Sequence, residues 1–140
     1  MIKTYQALVT INKQELDKAL KRLKELESYE KKVEQSRSNL MIEMRSLQLP
    51  THGTLIDLQQ YQSKQYAYIY QLRAIDDELE KVKQAKASSN QLVMLKNIEY
   101  EKYLHLEKTE KQKLMKLAME KEQKELDEIA NILYFTKGKS

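Results

Sequence analysis

"LQLPTHGTLID", residues 47–57, holds the only proline of the chain, Pro50, one of its two glycines, Gly53, and one of its two histidines, His52. Pro50 lacks a backbone N–H, and its ring clashes with the preceding helical turn, so a helix that reaches this stretch must end there. Gly53 can then take a positive φ and reverse the chain. Thr54 is a good N-cap residue, and Asp57 three residues later favours the positive end of a new helix. The stretch reads as the tip of a helical hairpin.

Outward from the tip, the sequence has almost no other punctuation. Upstream, apolar residues recur at a 3,4 spacing: Tyr5, Val9, Leu16, Ala19, Leu23, Leu26, Val33, Leu40, Met44 and Leu47. Heptad positions 12, 30 and 37 carry Asn12, Glu30 and Arg37 instead. This is a coiled-coil seam with polar interruptions. Downstream, a second seam runs through Leu58, Tyr61, Tyr68, Leu72, Ile75, Leu79 and Val82. It fades over "KQAKASSNQ", residues 83–91, where Ser88, Ser89 and Asn90 have poor helix propensity and a weakened helix is expected. The pattern resumes in a shifted frame at Leu92, Leu95 and Ile98, and a last stripe is Met115, Met119, Leu126, Ile129 and Leu133. "TKGKS", residues 136–140, has nothing to bury and is expected to fray.

The pattern predicts one all-α domain over residues 1–140, an antiparallel two-helix coiled-coil hairpin with the longer helix C-terminal. Its parts are a helix over 4–49, a tip at 50–54 and a helix over 55–135, with weakening at 83–91. A short turn makes two long amphipathic helices antiparallel neighbours. Folding about residue 52 sets Glu30 near Arg73, Arg37 near Tyr66 and Asn12 near Gln91. The first helix then runs out opposite residue 100 or so. About 35 residues remain, roughly 50 Å of helix, with an apolar stripe that has no intrachain partner. Such a stripe marks a binding surface, for a second copy, another protein or a folded-back C-terminus.

Composition supports this class and excludes others. Charged residues make up 33% of the chain, Gly and Pro are too scarce for the turns of a β or α/β domain, and there is no cysteine, hence no disulfide or thiolate chemistry. No apolar run is long enough for a signal peptide or a membrane span. His52 and His105 are too far apart for a helical metal pair, and Asp76 and Asp77 point about 100° apart on a helix. No Gly-rich phosphate loop exists. The expectation is no enzyme activity, no metal and no cofactor. Net charge is only +4 despite 25 basic residues. The basic residues Lys81, Lys83, Lys86 and Lys96 are interrupted by Glu78, Glu80, Glu99 and Glu101, unlike the one-sign stripe of a nucleic-acid face. A nucleic-acid-binding coiled-coil arm is a weaker reading, and a purely structural homodimer is another.

Tyrosine is the unusual residue. There are nine, four of them in "YQSKQYAYIY", residues 61–70. Tyr61 and Tyr68 fit the seam. Tyr66 and Tyr70, four apart, are rotated off it; they either flank the seam or form a protein-contact patch.

The order of these features resembles the FliJ family, the small coiled-coil proteins of the bacterial flagellar type III export apparatus, whose relatives in virulence secretion systems have a similar build. The resemblance rests on the heptad helix, the short break, "YQ" at Tyr61 and Gln62, "YIYQL" with Tyr68, Ile69 and Leu72, and "EKEQKELDEIA", residues 120–130. It implies a non-enzymatic, cytoplasmic protein that is peripheral at the inner membrane through its partners. It is similar in fold to the central shaft of rotary ATPases, so a rotary-ATPase stalk subunit is the alternative on the same physics. The implied partners are an export ATPase hexamer, an export gate membrane protein and export chaperones, with no nucleic acid. Under this resemblance Met119, Lys121, Lys124, Leu126, Ile129 and Leu133 are expected to meet the ATPase ring. Tyr66, Tyr70 and Arg73 are expected to meet the gate.

Overall fold

The computed structural model describes residues 2–138. Two helices, α1 (Ile2–Ser46) and α2 (Leu55–Gly138), account for nearly all of them, and no strand occurs among the described residues. The fold is an all-α helical hairpin with the longer helix second, as the spacing predicts. Two compact units divide it: residues 17–95, which include the tip, and residues 2–16 with 96–138.

In the first unit, α1 ends at Ser46 rather than Leu49. Leu49 precedes Pro50, which disfavours the helical region for it. The last turn tightens instead: the Leu47 N–H donates to the Met44 carbonyl at 3.2 Å, and the Ser46 hydroxyl donates to the Glu43 carbonyl at 2.7 Å. Gly53 has φ 150, and a Cβ there would meet the Asp57 carboxylate, so both conformation and space require glycine. Thr54 opens α2. Its carbonyl accepts from the Asp57 N–H at 3.1 Å, while its own N–H donates to Asp57 Oδ2 at 3.0 Å. A carboxylate reaching back to the cap N–H is half of a capping box.

The connection spans residues 47–54, wider than the expected 50–54, and it runs beside α2: Leu47, Gln48 and Pro50 share one surface depression with Asp57, Gln60, Tyr61 and Lys64. An extended residue advances about 3.3 Å and a helical one about 1.5 Å. The connection therefore covers more of α2 than a tight turn would, and the cross-helix ion-pair partners fall ten or more residues further along α2 than folding about residue 52 implies. Glu30 meets Lys86 (3.2 Å) and not Arg73. Arg37 meets Asp76 (2.7 Å) and not Tyr66.

Ala19, Leu26, Val33 and Leu40 are buried from α1, with Leu23, Glu30, Arg37 and Met44 half-buried between them. From α2 come Leu79, Val82 and Ser89, with Leu72, Ile75, Ala85, Lys86 and Val93 half-buried. The helix does not weaken over 83–91. The propensity cost of Ser and Asn there is at most ~0.7 kcal/mol per residue, and packing of one helix face outweighs it. Nor does the frame shift. Lys86, Ser89 and Val93 hold the seam, whereas Leu92 and Leu95 are exposed.

Ser89 is only 7% exposed, and its Oγ has no hydrogen-bond partner in the chain. A stranded buried hydroxyl destabilises, and alanine is the better helix former. Ser89→Ala should therefore stabilise the fold by ~1 kcal/mol, read as a higher urea midpoint at unchanged slope.

In the second unit, Ile2, Tyr5, Leu8, Val9, Asn12 and Leu16 are half-buried on α1, and Lys96, Tyr100, Tyr103, Leu106, Glu107 and Glu110 on α2. Glu15 lies 3.8 Å from Lys96, and the Lys13 ammonium sits 6.0 Å from the Tyr100 ring centroid. The Asn12 amide donates to the Leu8 carbonyl at 2.7 Å. Every residue from Lys111 to Gly138 is exposed. The overhang thus begins about ten residues later than expected, matching the displacement of the cross-helix register. Of "TKGKS", Thr136, Lys137 and Gly138 are helical, and Lys139 and Ser140 lie outside the described residues.

Candidate partner-binding surfaces

Each unit carries one surface whose chemistry departs from an ordinary solvated helix. In the unit of residues 17–95 it lies on the first turns of α2. Tyr61, Tyr68 and Ile69 are half-buried toward the seam, while Tyr66 and Tyr70 are 70% and 77% exposed. At about 100° per residue, Leu55, Gln62, Tyr66 and Arg73 share the face opposite the seam, with Tyr70 beside them. Between Asp57 and Arg73 only Lys64 is charged. The result is an amide- and phenol-rich face on a rigid helix, suited to hydrogen bonding and flat apolar contact. Sequence reasoning singles out Tyr66, Tyr70 and Arg73 and does not mention Leu49, Leu55 and Ile56, which are exposed around the tip, although the run of uncharged residues after Asp57 is a readable signal.

Deeper in the same unit, the Tyr29 hydroxyl donates to Glu78 Oε1 at 2.8 Å. This bond holds the phenol pKa above its usual 10.0, with smaller contributions from desolvation and from the Glu78 charge. Tyr29 is a cross-helix tie at the rim of the seam. No group of residues that could hold a metal ion exists among the described residues.

In the other unit the surface is the overhang. Met119, Leu126, Ile129 and Leu133 are all more than half exposed. With Leu104 and Met115 they form one stripe. At about 100° per residue this stripe lies roughly a quarter-turn from the seam-facing residues Tyr100, Tyr103, Glu107 and Glu110. Lys121 and Lys124 are also exposed, but they project from other faces, so the six residues expected at a ring do not converge on one side of the helix. The stripe's own charges are Lys108, Lys111 and Glu122, with Glu125 at its edge. Lys111 also bonds Glu107 at 2.7 Å, one turn back. Leu114 and Leu117 continue the seam face beyond Glu110. They too are exposed, because α1 supplies nothing to cover them. No described helix is long and apolar enough to cross a membrane.

The sequence matches, over residues 1–139, the family described as Flagellar FliJ protein. No curated protein and no solved structure matches it. The chain belongs to the FliJ family.

Proposed function

We propose that this FliJ-family chain is a non-enzymatic stalk of the flagellar type III export apparatus, working in the cytoplasm and held at the inner membrane through its partners. The overhang docks in the central opening of an export ATPase hexamer. The tyrosine face near the tip meets the export gate, and export chaperones are escorted on the same protein.

The observation that carries this reading is the overhang. Residues 111–138 are helical and exposed throughout, yet they keep an apolar stripe that costs free energy to leave in water. A ring that encircles a helix touches all its faces. It can therefore use Met119, Leu126, Ile129 and Leu133 on one side and Lys121 and Lys124 on others. The hairpin supplies no enclosed site for chemistry of its own.

The test is stimulation of the purified ATPase. Ile129→Asp with Leu133→Asp removes apolar contacts that commonly dominate an interface, so apparent affinity should fall at least ~30-fold, equivalent to about 2 kcal/mol. Lys121→Glu with Lys124→Glu should lower stimulation as well. Undiminished stimulation by both pairs would remove the overhang from the ATPase contact. Alanine at Tyr66 and Tyr70 tests the gate contact separately and should leave ATPase stimulation intact.

A further inference from the structure

The overhang stripe carries an internal charge order that an encircling ring does not require. From Leu104 to Met115 its charges are Lys108 and Lys111, and from Met115 to Glu125 they are Glu122 and Glu125. Two shallow depressions follow one another along it. The first is lined by Leu104, Glu107, Lys108, Lys111, Gln112 and Met115, and the second by Met115, Ala118, Met119, Lys121, Glu122 and Glu125. The first depression sets two lysines against Glu107, which Lys111 already holds, and the second sets two glutamates against Lys121, so one half of the stripe leans basic and the other acidic, with methionines where they join.

A stripe of this kind is complementary to itself when inverted. We propose that residues 104–129 of α2 form a self-pairing surface on which a second copy of this chain lies antiparallel. In the alignment that matches the charges, Lys108 and Lys111 of one copy face Glu125 and Glu122 of the second. Leu104 then faces Ile129 of the second copy, and Met115 meets its Ala118 near the two-fold axis. Every contact occurs twice, as an isologous interface requires. A parallel pairing would put Lys108 and Lys111 against themselves and Glu122 against itself, which repels. The shared length is roughly 39 Å of helix.

The seam does not obstruct this pairing. α1 covers the side of α2 that includes Tyr100, Tyr103, Glu107 and Glu110, and the stripe is rotated away from it. Methionine at the two-fold suits a contact that must be made and released, since its side chain adapts to irregular gaps. Lys111 is more than half exposed in its ion pair with Glu107, so it can reach a second carboxylate without first breaking a buried contact. The inference uses only residues 104–129 and does not depend on the ATPase reading.

Sedimentation equilibrium of the full chain tests it. The wild type should pass from monomer to dimer as concentration rises toward roughly 200 μM, and added salt should weaken the association. K108E/K111E makes the stripe acidic throughout and E122K/E125K makes it basic throughout. Each variant alone should dimerise at least roughly tenfold more weakly than the wild type at low salt. An equimolar mixture of the two should recover the association, because each pairs with the other along its whole length. Circular dichroism should show wild-type helicity for both variants. A wild type that stays monomeric throughout overturns the proposal, as do variants that dimerise like the wild type or a mixture that fails to associate.

Discussion

Val82→Asp abolishes the cooperative melt of the hairpin. Val82 is the most buried residue of the seam, at 4% exposure, between Leu79 and Ser89 on α2. The substitution removes a buried apolar side chain, worth about 1.5–3 kcal/mol, and puts a carboxylate in its place. Lys86, one turn on, is already held by Glu30, and Arg22 and Lys81, which line the same depression, are exposed on its solvent side. A half-wet site spares the carboxylate the full desolvation cost of a protein interior, but an unpaired charge at such a position still costs about 3 kcal/mol or more. A two-helix fold has little to set against this, since no side chain among the described residues is wholly shielded from solvent and net stabilities are commonly only 5–15 kcal/mol. Thermal circular dichroism should show a broad, early loss of helix. Spin labels at Glu27 and Gln84, close in the wild type by the register above, should separate. Val82→Thr nearly keeps the shape without the charge and should melt cooperatively, a few degrees lower. A cooperative, wild-type-like melt of Val82→Asp would mean that Val82 is not in the seam.

Truncation after Glu110 has the opposite character. It removes 28 helical residues, 111–138, none of which is even half-buried. A helix without tertiary contacts holds only its own marginal propensity. The shortened chain should therefore melt within a few degrees of the full chain, while total helical signal falls by about the share of residues removed. Binding through the overhang should be lost entirely. Stimulation of the export ATPase and the concentration-dependent dimer should both disappear, since both use surface beyond Glu110. Retention of either in the truncated chain would assign that partner to a different part of the protein. The pair of experiments separates the two jobs of α2, which the heptad pattern alone does not distinguish: up to Glu110 it stabilises the fold, and beyond that it presents surface.

How much of this could be read from sequence differs by region, and for physical reasons. α1 was legible because its apolar residues hold heptad positions from Tyr5 to Leu47, and the three polar exceptions, Asn12, Glu30 and Arg37, proved to be half-buried seam members. α2 was legible only to Val82. Beyond it the seam is carried by Lys86, Ser89, Val93, Lys96 and Tyr100, and a search for apolar spacing instead follows Leu92, Leu95 and Ile98, which face outward. Cross-helix alignment was missed because it depends on whether residues 47–54 advance as helix or as extended chain, and Pro50 marks a break without stating its length. On the candidate surfaces, the exposure of Tyr66 and Tyr70 followed from their angle to the seam. The charge order of the overhang needed the stripe to be placed first, because Lys108 and Lys111 look like ordinary solvated lysines until their face is known.

The polar members of the seam also decide something the apolar ones leave open. A pattern that repeats every seven residues lets α2 slip past α1 by one repeat and bury a similar set of aliphatic groups. Slippage by one repeat in either direction would bring Leu79 or Val93 to the place of Lys86 and leave Glu30 unanswered. The salt bridges of Glu30 with Lys86 and of Arg37 with Asp76 act as a key cut for a single notch. The residues that make this core thin also keep the two helices from sliding under load.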